Sequence, residues 1–93
     1  MSKVVLQGYI AVPPEYLAVV LEALDSHISL TRAEAGCLVF QVEQDAEDPC
    51  RFSVYEEFID KTAFDAHQAR VASSRWGELT QGVQRNYQIS GLD

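Results

Sequence analysis

The hydrophobic period changes sharply between Arg51 and Gln68, and that change limits what this chain can build. From Phe52 to Ile59 the residues apart from Ser53 are aromatic, β-branched or acidic, so the run is expected to form a strand that sends Glu56 to one face and Glu57 to the other. Asp60 then offers an N-cap. Ala63, Phe64, His67 and Val71 follow at helical spacing, an apolar stripe interrupted by a single imidazole. A strand that runs straight into a helix with a histidine on its inner face can wall a small pocket.

The flanking segments supply the rest of a sheet. Val4, Leu6, Gly8, Ile10 and Val12 share one face of a first strand, and Val5, Gln7, Tyr9 and Ala11 the other; both faces read as largely apolar, which calls for cover on both sides. Gly8 either leaves space for a ligand or permits a bulge or close helix contact. Pro13-Pro14-Glu15 suits the first turn of a helix. In that helix Leu17, Val20, Leu21, Leu24 and Ile28 keep the helical period, with Glu22, Asp25 and Ser29 outward. His27, at the margin of the stripe, either hydrogen-bonds a sheet carboxylate such as Glu56 or stands in solvent.

Gly36 breaks the chain before a strand from Cys37 to Gln44, which places Leu38, Phe40 and Val42 on one side and Cys37, Val39 and Gln41 on the other. The acidic connection Asp45-Ala-Glu-Asp-Pro49 is short enough to join this strand antiparallel to the next. Ala72, Trp76, Leu79 and Val83 predict a second helical segment, and Val83 to Ser90 a closing strand before the Gly91-Leu92-Asp93 tail.

Strand, helix, strand, strand, helix, strand across residues 1–93 is the order of one ferredoxin-like α+β sandwich, an antiparallel sheet with helices on one face. A domain of this size buries only about 60 to 65% of its unfolded surface. The helix-free face carries Val5, Tyr9 and Val39, and packing two such faces together predicts a homodimer with a barrel-like core. A formal charge of −7, with Arg70, Arg75 and Arg85 scattered, argues against nucleic acid and anionic membranes as partners. No apolar run approaches the roughly 18 residues of a membrane span. Met-Ser-Lys-Val-Val lacks the layout of a signal peptide, so a cytoplasmic location is expected. Cys37 and Cys50 fall near opposite ends of the predicted hairpin, about 20 Å apart, too far for an intrachain disulfide. Two histidines without C-x-x-C or H-x-x-x-H spacing give no support to a metal site.

Three stretches carry a family resemblance: Glu34-Ala-Gly-Cys-Leu-Val-Phe40, then Asp48-Pro-x-Arg-Phe-x-Val-Tyr-Glu56, then Asp60-x-x-Ala-Phe-x-x-His67. In this order they resemble the antibiotic biosynthesis monooxygenase superfamily, in particular its small bacterial quinol-monooxygenase-like members, and the resemblance covers nearly the whole chain. It implies a dimer of ferredoxin-like domains that oxygenates phenolic or quinol substrates without metal, flavin or haem. The superfamily also reaches an isomerase of a phosphorylated autoinducer and the haem-degrading enzymes. This chain departs from the haem degraders, with His67 where their distorting tryptophan would fall and no histidine beyond it to bind iron.

The chemistry can be stated apart from the family. A phenol or quinol reacts with dioxygen once deprotonated, so an oxygenase without a cofactor needs an apolar cavity, a base of near-neutral pKa and donors for a developing oxyanion. His67 has the best intrinsic pKa for the base, Glu56 can orient or charge it, and Tyr55 completes the candidate catalytic set. Gly8, Phe40, Trp76 and His27 are the candidates for contact with substrate. No cofactor-binding or metal-ligating residue is assigned, and no elbow or triad spacing supports acyl transfer. The function expected is cofactor-independent monooxygenation of a small aromatic or quinol-like molecule. The alternatives are an acid/base isomerase of a small phosphosugar-like signalling metabolite and a non-catalytic dimeric binding module.

Overall fold

Val4, Leu6 and Ile10 alternate along strand β1 (Val4–Ala11), and all three are buried, which sets the register of the whole sheet. The computed structural model describes residues 2–92; Met1 and Asp93, the extreme ends of the N-terminal stretch and the tail read above, lie outside the described residues. After β1 come a 3-10 turn (Pro14–Tyr16), α1 (Leu17–Arg32), β2 (Cys37–Gln44), β3 (Arg51–Phe58), α2 (Lys61–Ala72), α3 (Arg75–Leu79) and β4 (Gln84–Ser90). The strands form one antiparallel sheet in the order β2-β3-β1-β4, the ferredoxin-like α+β topology read from the sequence. Its inner face packs Val4, Leu6, Ile10, Phe52, Val54 and Phe58 against Val20 and Leu24 of α1 and Phe64 of α2.

Four local readings change. In α1 the buried positions are Val20, Ala23, Leu24, His27 and Thr31, while Leu21 is 41% exposed. The core stripe is centred on the 20, 24, 27, 31 line, and Leu21 stands roughly 100° of helical rotation beyond Val20. In β2 a bulge between Cys37 and Val39 pairs Cys37 with Phe58 and Val39 with Glu57. The extra residue breaks the alternation and expels Leu38 to solvent, although Phe40 keeps its inward position. The helical stripe expected from Ala72 to Val83 is interrupted at Ser73 and Ser74, where the Ser74 hydroxyl donates to the Val71 carbonyl at 2.7 Å and accepts from Gly77 N at 3.1 Å. One side chain thus ends α2 and caps the five-residue α3, leaving Val83 in the turn before β4.

The fourth change concerns Gly8. Its φ is +154°, and a Cβ there would lie 1.9 Å from the carbonyl oxygen of Asn86 in β4. Close approach of two backbones is what this glycine permits, and the space expected beside it for a ligand is filled.

The open face carries Val5, Tyr9 and Val39 as the alternation required. Tyr9 pairs with Ser53, however, and Gln7 stands between Tyr55 and Gln88, so this face is more polar than β1 alone suggests. Arg51 lies over the Tyr9 ring, 3.8 Å from its centroid. Cys37 and Cys50 are both free thiols, with Cys37 opening β2 opposite the last residue of β3 and Cys50 preceding the first.

Candidate functional site

The site is assembled around His67 by two local devices. Asp60 accepts a hydrogen bond from Ala63 N at 2.8 Å and fixes the start of α2, so that His67, nearly two turns later, turns inward and is 3% exposed. Its ring packs against Phe58, with centroids 4.8 Å apart, and Phe40, at 5.8 Å. The second device is the loop after α1, where Ile59 N donates to Gly36 O at 2.9 Å. A Cβ on Gly36 would stand 2.2 Å from that of Ala63, so the absent side chain lets α2 close onto the loop. This approach brings the Glu34 carboxylate to His67, with both oxygens 3.1 Å from Nδ1. Arg70 Nε donates to the same carboxylate, and its Nη2 donates to the buried Thr31 hydroxyl at 2.9 Å. A carboxylate against Nδ1 assigns the ring proton to that nitrogen and leaves Nε2 as an acceptor. Nε2 faces Glu56 Oε1 at 3.8 Å, outside hydrogen-bond range as the side chains stand.

Glu56 reaches the inner face from β3 and borders a cavity of about 30 Å³ walled by His27, Phe40, Trp76, Arg85 and Tyr87 among others. His27 stacks flat on Trp76, with centroids 4.5 Å apart and 5° between planes, and meets Phe40 edge-on at 5.3 Å. Among the described residues, the buried side-chain atoms without a hydrogen-bond partner are His27 Nδ1 and Glu56 Oε1. Both residues line this cavity. Its volume suits a water molecule or a hydroxyl group, not an aromatic ring. A second cavity of about 60 Å³ shares His27 and Trp76 as walls and adds Ala23, Leu30 and Arg70.

The family model for antibiotic biosynthesis monooxygenase matches residues 3–79. This chain belongs to that family. The matched span runs from β1 through α3, so it includes Glu34, Glu56, His67 and Trp76, while Arg85 and Tyr87 come from β4 beyond it. Among solved structures, a Nitrosomonas europaea protein named provisionally as an antibiotic biosynthesis monooxygenase is similar at TM-score 0.80 and 22% identity, covering 97% of this chain and 89% of that one. A Pseudomonas aeruginosa protein is similar at TM-score 0.74 and 24% identity, covering 97% and 91%. A conserved Methanosarcina mazei protein gives 0.70 and 23%, covering 97% and 90%. Likeness at these identities establishes the shared fold. No curated protein matches the sequence. Among the described residues no helix is long and apolar enough to cross a membrane, and no group of His, Cys, Asp and Glu side chains is arranged to hold a metal ion.

Within this antibiotic biosynthesis monooxygenase fold the expected residues divide. His67 and Glu56 face each other, and Glu56, Phe40, Trp76 and His27 share the small cavity. Tyr55 does not join them: adjacent strand residues point to opposite faces, so it lies on the open face, where its hydroxyl donates to Glu57. Gly8 is spent on the β1–β4 contact. Arg51 is on the open face as well, over the Tyr9 ring. Sequence reasoning missed Glu34 and Arg70 as partners of His67, and Arg85 and Tyr87 as walls. The available signals were Glu34 in the same short motif as Cys37 and Phe40, and Arg85 and Tyr87 two apart on a strand, hence on one face.

Burial governs the electrostatics. It raises the Glu56 carboxyl to about 7, with the nearby Glu34 charge adding. It lowers His27 to about 3, helped by His67 and Arg70. It also lowers His67, against the opposing pull of Glu34. Although His67 and Glu56 lie at ion-pair distance, both shifts favour neutral forms, so near pH 7 an uncharged imidazole faces a carboxyl that is partly protonated. The depressed His27 pKa contributes stability that is complete above pH 6.5 and is lost as pH falls toward 3. His27→Phe keeps a ring on Trp76 and removes this titration. Its stability relative to wild type should therefore grow as pH falls below 6.5, by up to about 1.4 kcal/mol per pH unit. Urea melts of both proteins between pH 7.5 and 4 would show it; a constant difference would mean that His27 titrates normally.

Proposed function

We propose that this antibiotic biosynthesis monooxygenase domain oxygenates a small phenol or quinol without a cofactor, with Glu56 as the base that meets the substrate. The observation that carries this reading is a buried carboxylate with an unpartnered oxygen, its pKa raised to about 7, on a cavity walled by aromatic rings. His67, the base favoured by intrinsic pKa, lies behind Glu56 and does not border the cavity. Glu56 takes the proton of a substrate hydroxyl, and the Arg85 guanidinium supports the oxyanion that results. The electron-rich ring then adds dioxygen; overall, one quinol and one dioxygen give one hydroxyquinone and one water. The cavity of about 30 Å³ accepts the hydroxyl, and the ring enters by displacing Trp76, whose α3 is only five residues long and which separates this cavity from its neighbour.

Trp76 is the single tryptophan, so its fluorescence reports directly on this event. Quinols that are turned over with oxygen uptake should also shift or quench that emission. A panel of quinols and phenols that gives neither signal would refute the reading, and a response confined to phosphosugars would favour the isomerase.

The same reading includes a homodimer. Val5, Tyr9 and Val39 are half-buried on a sheet face that no helix among the described residues covers. A dimer that persists at micromolar concentration is expected in sedimentation, and a stable, well-folded monomer at that concentration would remove it from the proposal.

A further inference from the structure

Glu34 and Glu56 open to different surroundings, and His67 stands between them. The Glu34 side chain is 18% exposed and, with Arg70, borders an open groove of about 450 Å³ between the α1–β2 loop and α2 that also includes Ala35, Gly36, Ile59 and Ala63. The Glu56 side chain, 8% exposed, borders the small inner cavity. From the imidazole between them Nδ1 contacts the outer carboxylate at 3.1 Å and Nε2 points at the inner one at 3.8 Å. A buried base must pass on each proton it takes, and a substrate ring that fills the mouth of its cavity blocks the direct way to solvent.

We propose that Glu34, His67 and Glu56 form a proton relay between the inner cavity and the solvent-facing groove. A proton on Glu56 passes to Nε2 as the carboxyl rotates to close the gap, and the proton on Nδ1 passes to Glu34, which releases it to the groove. The ring holds one proton before and after, now on Nε2; once product leaves and water re-enters the cavity, Nε2 gives that proton to water and Nδ1 takes one back through Glu34, which restores the resting tautomer. Arg70 positions Glu34 through its Nε contact while its other arm is held by Thr31. The ionisable groups facing the imidazole are His27 from α1, Glu34 from the following loop, Glu56 from β3 and Arg70 from its own helix. Their arrangement gives the ring one acceptor on the solvent side and one exchange partner inside. The relay serves the reaction proposed above, because it discharges the base assigned there.

The test needs no substrate. The carbonyl stretch of buried, protonated Glu56, identified by its loss in Glu56→Gln, can be followed by infrared spectroscopy after a rapid pH jump. Glu34→Gln, which cannot accept the proton, and His67→Phe, which keeps a packed ring without nitrogens, should each slow proton exchange at Glu56 by about tenfold or more. Wild-type rates in both variants would overturn the relay, including the case in which their melting temperatures fall, since a merely structural network would act on stability alone. If Glu34→Gln does not fold, Glu34→Asp keeps the charge beside Arg70 and withdraws the carboxylate by one methylene; it should slow exchange as well, and a wild-type rate there would equally overturn the relay. Slowed exchange in a protein that oxygenates no quinol would support the relay and count only against the oxygenase reading.

Discussion

Turnover of a responsive quinol should fall by about 10² to 10⁴ in Glu56→Gln, the usual loss when a general base is removed. The same substitution should make the folded state firmer in alkali. Glu56 has a folded-state pKa of about 7 against an ordinary 4.5, so its contribution to stability is complete below pH 4.5 and lost as pH rises through 7. Glutamine avoids that loss. The variant should match wild type near pH 4.5 and exceed it above pH 7 by about 3 kcal/mol at most. His67→Ala separates the two carboxylates' roles: it removes the group that links them and leaves Glu34 short of a partner, at a cost of about 1 to 3 kcal/mol. Rate and melting temperature measured on the same preparation decide the matter. If Glu56→Gln keeps the wild-type rate per folded protein, Glu56 is not the base.

Gly8→Ala is expected to be among the most damaging single changes. The new methyl would meet Asn86 O at 1.9 Å, and the backbone is held at φ +154°, which L side chains rarely adopt. Strain at such a φ costs of the order of 1 to 3 kcal/mol before the clash is counted. The clash is with backbone, so relief requires β1 and β4 to separate. A loss of about 4 kcal/mol would consume much of the roughly 5 to 14 kcal/mol available to a domain of this length. Gly82→Ala is the control: a Cβ there has nothing within 4 Å, and the change should be near neutral. Urea midpoints and hydrogen exchange in β4 measure both, and a Gly8→Ala loss below about 1 kcal/mol would mean that the strand pair relaxes cheaply.

These two residues show what kind of information the chain carries openly. The strand through Glu56, the Asp60 cap and the helix through His67 were legible because each rests on local chemistry: alternation along a strand, a carboxylate accepting an amide, a stripe at helical spacing. The order of elements then admitted the ferredoxin-like topology, and the motifs from Glu34 to His67 pointed to the family. That Tyr55 cannot join Glu56 was also available, since neighbours in a strand face apart.

Other features depend on contacts between segments far apart in the chain. Glu34 and His67 are separated by 33 residues, and their meeting depends on a missing side chain at Gly36 that lets α2 close. The bulge at Cys37 and Val39 shifted Leu38 outward, and no periodicity announces a bulge. The meaning of Gly8 turned on where the backbone of β4 passes, and the volume beside Glu56 on how His27 stacks against Trp76. Sequence alone therefore determined the elements, their order and the presence of an imidazole and a carboxylate on the inner face, because those follow from propensity and period. Only the tertiary structure decided which of the two borders the cavity and how small that cavity is, because burial and distance are set by packing between elements.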